Sequence, residues 1–437
     1  MRTAFSRAVL MTVVLLIGGL AAGPSRAGAM EHDEVTTTAG TVVPDADDDK
    51  KCSPTTVVYM PDVPPALETL QRDLVTPVAT GAGILVAVVD SGINPRNAHL
   101  VGAVTPGINL VPDGTDPSGY TDNAGHGTAV AGIIAARPVT GSGLVGYAPG
   151  AIVMPVRVFN VDDEASKRAG IGPSLARIAE GIQWAADHGA HIINVSMSDS
   201  QNTYQLSRAV EYATSRGSLV VASAGNRSTS ADDDPTAPRY PAGHPSALGV
   251  TATNSENVVN DDSYHGPQVD VSAPGMNVIS TFLAAGDCLW ATTTASSSYA
   301  TAYASAAAAL VAQTFPTEGP AGWKYRLMVT ASRSQPGMRD DVNGWGLIQP
   351  YNALTFIADG TARGPENPLA APLPEPKATP RAIDLTQTPS PLIATRELAV
   401  GAGVLGVTGL IATLLLVYRP GAAERRTARQ AARRSPE

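Results

Sequence analysis

Six consecutive apolar residues, Ile84 to Val89, run straight into a carboxylate, Asp90. So short a run with no polar face must be covered on both sides, as strands inside a parallel sheet are. Ile152 to Phe159, Ile192 to Met197 and Leu219 to Ser223 have the same character. Between them lie helical patterns. In Ser174 to His188, Leu175, Ile178, Ile182 and Ala185 share one face, Ser174 is placed to cap the start and Gly189 ends the helix; Leu206 to Arg216 follows. Alternating strands and helices predict an α/β fold with a parallel, doubly wound sheet. In such sheets chemistry is done beyond the carboxyl ends of the strands. Asp90 stands at one of those ends, although taken alone it reads rather as a turn-capping aspartate.

A second stretch changes that balance. Gly125-His126-Gly127-Thr128-Ala129-Val130-Ala131-Gly132 opens a small-residue helix that runs through Ala136. Glycines on both sides of a histidine let another backbone come close, so His126 is placed to meet groups brought from elsewhere. Downstream, Ser296-Ser297-Ser298-Tyr299-Ala300 opens an alanine-rich helix reaching about Phe315. Asp, then His, then Ser is one of the chain orders of a nucleophilic triad. A serine hydroxyl needs an adjacent base, and the base needs orienting, so the three residue types belong together.

These stretches resemble the subtilisin-like serine proteases, or subtilases, over about Gly81 to Ala353. The segment plan on both sides is similar to the mycosins, membrane-anchored subtilases associated with type VII secretion. The resemblance implies a subtilisin-like three-layer fold with a mostly parallel sheet. It implies peptide-bond hydrolysis through an acyl-enzyme on Ser298, with His126 as base and Asp90 holding the imidazole. Asn226, in Ser223-Ala224-Gly225-Asn226, takes the place of the family's oxyanion-hole amide. Ser196-Met197-Ser198 takes the place of the substrate-binding edge, usually Ser-Leu-Gly. The stretches Val269 to Gly275 and Gly344-Trp345-Gly346 also match family features. The chain departs from the pattern at Ser296 for glycine, Ser297 for threonine, Ala302 for proline and Ser198 for glycine. Ser296 is expected to crowd bound substrate. A protein or peptide substrate is expected, with no metal and no cofactor. The alternative is a subtilase fold serving a secretion complex as a structural partner with little or no turnover.

The 437 residues carry a net charge of −9 and no basic field that would suggest a nucleic-acid partner. Met1 to Ala29 reads as a secretory signal, with Arg2 and Arg7, an apolar run from Ala8 to Leu20, and Ala27-Gly28-Ala29 as the cleavage site. Export favours a disulfide between the only two cysteines, Cys52 and Cys288. Residues 30–80 form an acidic extension, ten acidic side chains against three basic, which includes Asp45 to Asp49; residues 81–355 form the catalytic domain. Residues 356–397 contain eight prolines and read as a stiff linker. Leu398 to Tyr418 is 21 uncharged residues, enough to span a bilayer. The tail 419–437 carries six arginines, which predicts a cytoplasmic end and an extracytoplasmic domain.

Overall fold

The computed structural model describes residues 52–229, 237–370 and 391–417. The expected signal segment, the acidic run at 45–49, residues 371–390 of the linker, Tyr418 and the arginine-rich tail lie outside the described residues. The elements run α1 (Pro65–Thr69), α2 (Arg72–Val75), β1 (Leu85–Asp90), β2 (Ile108–Asn109), α3 (His126–Ala135), β3 (Ile152–Arg157), α4 (Glu164–Arg168), α5 (Leu175–Asp187) and β4 (Ile192–Val195). They continue as α6 (Tyr204–Ser215), β5 (Leu219–Ser223), β6 (Leu248–Thr253), β7 (Val271–Pro274), β8 (Val278–Thr281), β9 (Asp287–Trp290), α7 (Ser297–Thr314), α8 (Gly319–Val329) and α9 (Pro350–Thr355).

Seven strands form one sheet in the order β2-β3-β1-β4-β5-β6-β7, with every pairing parallel. Strand β1 shows why its sequence reads as it does. Val86 and Val88 are fully buried in a cluster shared with α3 and α7, on one face. Ala87 and Val89 are fully buried in a second cluster with α5 and α6, on the other. Each buried valine stabilises by about 1.5–3 kcal/mol, so a polar residue at any of these four positions would break the sheet. The chain moves from β1 outward to β3, then jumps back across β1 to β4. The crevice at that reversal opens beyond the carboxyl ends of β1 and β4.

Helix α7 is buried on all sides from Ser297 to Ala312. A helix that is apolar all round belongs in a core, and its alanines let it lie close beneath β4 to β7. Two helix starts differ from the sequence reading. Ser174 occupies the N-cap of α5, but its side chain makes no capping bond. Helix α6 begins at Tyr204, earlier than Leu206, because Thr203 caps it by accepting from the Leu206 N–H.

Packing begins before residue 81. Leu67, Leu70, Val75 and Ala79 are buried in the cluster that holds α3 and α7. Tyr147 Oη donates to the Leu70 carbonyl at 2.7 Å, and Gln313 Oε1 accepts from the N–H groups of Thr80 and Gly81. A disulfide joins Cys52 to Cys288, with Cα atoms 5.4 Å apart. Val58 pairs with the β8–β9 turn through bonds to Ala285 and Asp287.

A further helix, α10 (Pro391–Val417), belongs to a separate compact unit. Proline suits a first helical position, where its missing N–H is not needed. Thr395–Val417 is long and apolar enough to cross a membrane, with mean hydropathy 2.3. The helix therefore starts before Leu398 and includes Arg396 and Glu397.

Candidate active site

Asp90 ends β1 with its carboxylate fully buried. Its Oδ1 accepts from the Ser91 N–H at 2.8 Å and lies 2.7 Å from His126 Nδ1. A carboxylate only accepts, so the Nδ1–H donates, and the other ring nitrogen, Nε2, keeps its lone pair. His126 opens α3, and its side chain is 24% exposed.

Close backbone contact makes this geometry possible. A Cβ on Gly127 would stand 2.1 Å from the Gly92 carbonyl oxygen and 3.2 Å from Asp90 Cβ. Gly92 has φ +112, and a Cβ there would meet the Thr121 carbonyl oxygen at 2.0 Å. Only glycine allows either approach.

Asp122, which the sequence reading did not single out, fastens the start of α3. Its Oδ1 accepts from Ser91 Oγ, Ala124 N and Gly125 N. Its Oδ2 accepts from the N–H and hydroxyl of Thr128. Burial pushes the Asp122 carboxyl above its ordinary pKa and the Asp90 charge adds to that, while the bonds from Thr128 and Ser91 oppose it. The Ser91 hydroxyl also accepts from the Gly127 N–H, so one network positions both Asp90 and His126.

Ser298 lies in the first turn of α7, 9% exposed. The residue after it, Tyr299, sets its ring 5.6 Å from the His126 ring. Ser298 Oγ donates to the Ser196 carbonyl at 2.9 Å, and Ser196 Oγ donates to the Ser298 carbonyl at 3.0 Å. The buried Asn194, Ser196 and Ser305 continue this contact inward through Asn194 Nδ2 to Ser196 Oγ and Ser305 Oγ to Asn194 Oδ1. The Ser196 hydroxyl therefore locks α7 to the end of β4. Ser198 faces another side chain, since Arg239 Nε lies 3.4 Å from its Oγ and Nη2 lies 3.2 Å from its carbonyl.

Asn226 follows β5. Its Oδ1 accepts from both the N–H and the hydroxyl of Ser297, each at 2.8 Å. Ser297 also meets Ser223 Oγ at 2.6 Å. The structure thus gathers Asp90, His126, Asn226, Ser196 and Ser298 where β1, β4 and β5 end. Ser296, expected to be tight, sits at φ −108 and ψ 121, a conformation open to any residue. The close approach here is carried by Gly275, whose Cβ would stand 2.6 Å from the Ser296 carbonyl oxygen.

Residues 81–346 match the family described as Peptidase_S8, Subtilase family. Thermitase of Thermoactinomyces vulgaris is 37% identical over 205 residues, covering 47% of this chain and 67% of that protein. Subtilisin BL of Lederbergia lenta is 37% identical over 241 residues, or 54% and 79%. Among solved structures, MycP1 from the ESX-1 type VII secretion system superposes with TM-score 0.60 at 28% identity, covering 71% of this chain and 91% of that one. MycP1 from Mycobacterium smegmatis gives TM-score 0.59 at 28% identity over 75% and 94%. The match spans the parallel sheet and the residues gathered at its carboxyl end, and the chain belongs to the subtilase family of serine endopeptidases, related to the mycosins.

Proposed function

We propose that Ser298 is the nucleophile of this endopeptidase, His126 its general base and acid, and Asp90 the group that holds the imidazole in the useful tautomer. The 2.7 Å contact between His126 Nδ1 and Asp90 Oδ1 carries this reading. It directs the Nε2 lone pair away from the buried carboxylate, which is what deprotonating a serine requires. Ser298 attacks the scissile carbonyl, its proton passes to His126, and His126 returns it to the leaving amine. Because Ser297 occupies Asn226 Oδ1, Nδ2 is the limb of that amide that donates to the developing oxyanion. The Ser298 N–H, at the start of α7, serves as the second donor and gains from the helix dipole.

We further propose that the enzyme is membrane-anchored through α10, with its catalytic domain outside and its arginine-rich end in the cytoplasm, and that it works with a type VII secretion complex. The apolar span Thr395–Val417 supports the anchor, and the arginines of residues 419–437 support the orientation. The likeness to MycP1 and to MycP3 of the ESX-3 system supports the association. The proposed segments are a signal at 1–29, an extension at 30–80, a catalytic domain at 81–355, a linker at 356–397, a span at 398–418 and a tail at 419–437.

A fluorophosphonate probe tests the chemistry. It should label the wild type and the Ser296→Ala and Ser297→Ala variants, and fail on Ser298→Ala and His126→Ala. A folded wild type that takes no probe would overturn the proposal. Protease added to intact spheroplasts should remove the main domain and spare a tag at Glu437; loss of that tag without permeabilisation would reverse the orientation.

A further inference from the structure

We propose that Arg239 is the specificity-determining residue of this protease and limits the residue before the scissile bond to a small side chain, glycine, alanine or serine. The proposal rests on the catalytic reading above and names its substrate class.

For a peptide carbonyl to reach Ser298 Oγ with its oxygen toward Asn226, the residue bearing it must lie between two segments. One is 196–198, beyond β4, and the other is 223–226, beyond β5. The two strands pair up to Val195 and Ala222, and past that point, between the two segments, we place the slot for the substrate side chain. Ser196 and Ser297 tie both lips of the slot to the start of α7, so they do not spread freely.

The slot is already occupied. Tyr240 and Asp199 exchange backbone hydrogen bonds of 2.8 and 2.9 Å, which brings Arg239 against the first lip. Arg239 is 2% exposed. Its guanidinium donates to both the hydroxyl and the carbonyl of Ser198 and lies 4.5 Å above the Tyr264 ring. Tyr264 is held to the second lip by its N–H on the Gly225 carbonyl, 3.2 Å. A Cβ placed on Gly225 would meet Ser198 Oγ at 2.8 Å, Tyr264 Cδ2 at 2.9 Å and Arg239 Cγ at 3.3 Å. Three side chains from three segments converge there, and even a methyl group on that lip finds no room. Ser198 adds a side chain where the family usually has glycine. A bulky residue entering the slot would have to displace a buried arginine from its hydrogen bonds and its ring, which costs far more than one apolar side chain regains. Glycine, alanine and serine demand the least displacement.

The test uses the purified full-length protein in detergent and an acyl-Ala-Ala-Pro-X p-nitroanilide series with X as Ala, Ser, Phe, Leu, Lys or Glu, with fluorophosphonate labelling run in parallel. We expect kcat/KM for Ala and Ser to exceed that for Phe, Leu, Lys and Glu by at least roughly tenfold, the scale of steric discrimination in a pocket. Arg239→Gly should raise Phe and Leu turnover relative to Ala by a similar factor. Should that variant fail to fold, Ser198→Gly, which keeps the arginine, should raise Leu relative to Ala by a smaller factor. A labelled wild type that cleaves Phe as well as Ala, prefers Glu, or cleaves none of the series overturns the role of Arg239 and leaves the serine chemistry standing. So does a folded Arg239→Gly or Ser198→Gly variant with an unchanged profile. Absence of labelling overturns both proposals.

Discussion

Two histidine–aspartate pairs occur in the same domain, and they differ in what surrounds them. His126 Nδ1 lies 2.7 Å from Asp90 Oδ1, and His99 Nε2 lies 2.8 Å from Asp287 Oδ1. The His99 pair is entirely buried. Its Nδ1 donates to the Arg137 carbonyl at 2.6 Å, and both ring nitrogens are turned to buried protein groups rather than to solvent. Asp287 spends its Oδ2 on the Met60 N–H and the Ser142 hydroxyl, beside the disulfide at Cys288. The pair is a clamp between the N-terminal segment and the β8–β9 hairpin. At His126 only the aspartate is buried, and the ring keeps an edge toward solvent. Contact distance does not separate the clamp from the proposed catalytic pair; the exposure of the histidine side chain, 24% at His126 and none at His99, does.

The largest effect should fall on the proposed catalytic pair. Asp90→Asn keeps the shape of the site but no longer fixes the tautomer, and kcat should drop by ~10⁴ with the melting temperature little changed. Stopped assays on the folded variant would check this. A loss of tenfold or less would mean that some other group orients His126. The clamp predicts the reverse split. His99→Ala leaves Asp287 Oδ1 buried without its neighbour and the Arg137 carbonyl without a donor, at a cost of about 1–3 kcal/mol. Thermal melts should show it, while probe labelling of the protein that remains folded should proceed at the wild-type rate.

Arg157 and Asp113 lie between these extremes. Arg157 stands opposite Asp90 in the β1–β3 register, fully buried, with Nη1 2.7 Å from Asp113 Oδ2 and Nε on the Ser91 carbonyl. Burial alone would raise the Asp113 carboxyl, but hydrogen bonds from Thr115, Arg157 and Asn109 outweigh it and hold the pKa at about 2. A carboxyl held below its unfolded value of 3.8 stabilises the fold fully above that pH, and the contribution disappears as pH falls toward about 2. Asp113→Asn should therefore lower stability at neutral pH by about 2 kcal/mol. It should also flatten the decline between pH 4 and 2, which denaturant titrations at stepped pH would show.

The sheet was legible because β1, β4 and β5 are buried on both faces, so their sequences carry no competing signal. Asp90 and His126 were legible because a strand end and a glycine-flanked helix start are local features. Other parts depend on residues far apart in the chain. Leu67 and Leu70 sit in helices of five residues or in the turns beside them, too short for a periodic pattern. Nothing near Asp287 signals His99, and Arg239 meets Ser198 only because the chain returns at Tyr240. Asp122 stands three residues before Gly125 and reads as an ordinary loop aspartate until its five donors are seen. Ser296 shows the converse. Glycine in the family pattern drew attention to Ser296 itself, whereas the structure puts a close backbone contact at Gly275, with Ser296 in angles that suit serine.

The smallest effect should come from Ser297, which is fully buried. Its one hydroxyl proton goes to Asn226 Oδ1, so Ser223 must donate across their 2.6 Å contact, and Ser223 in turn accepts from the Gly225 N–H. The bonds run in one direction, from Gly225 through both serines to Asn226, and each polarises the next. Ser297→Ala cuts the chain and removes one of the donors to Asn226 Oδ1, while the Ser297 N–H stays in place. Asn226→Ala removes the oxyanion donor outright and should cost ~10²–10³ in kcat. Ser297→Ala loosens that donor without removing it, so kcat should fall by roughly tenfold, about 1.4 kcal/mol, with KM unchanged. Ser297→Thr, which restores the family residue and keeps the hydroxyl, should recover the wild-type rate. Equal kcat for the alanine variant and the wild type would show that the Ser297 hydroxyl is not needed to orient Asn226.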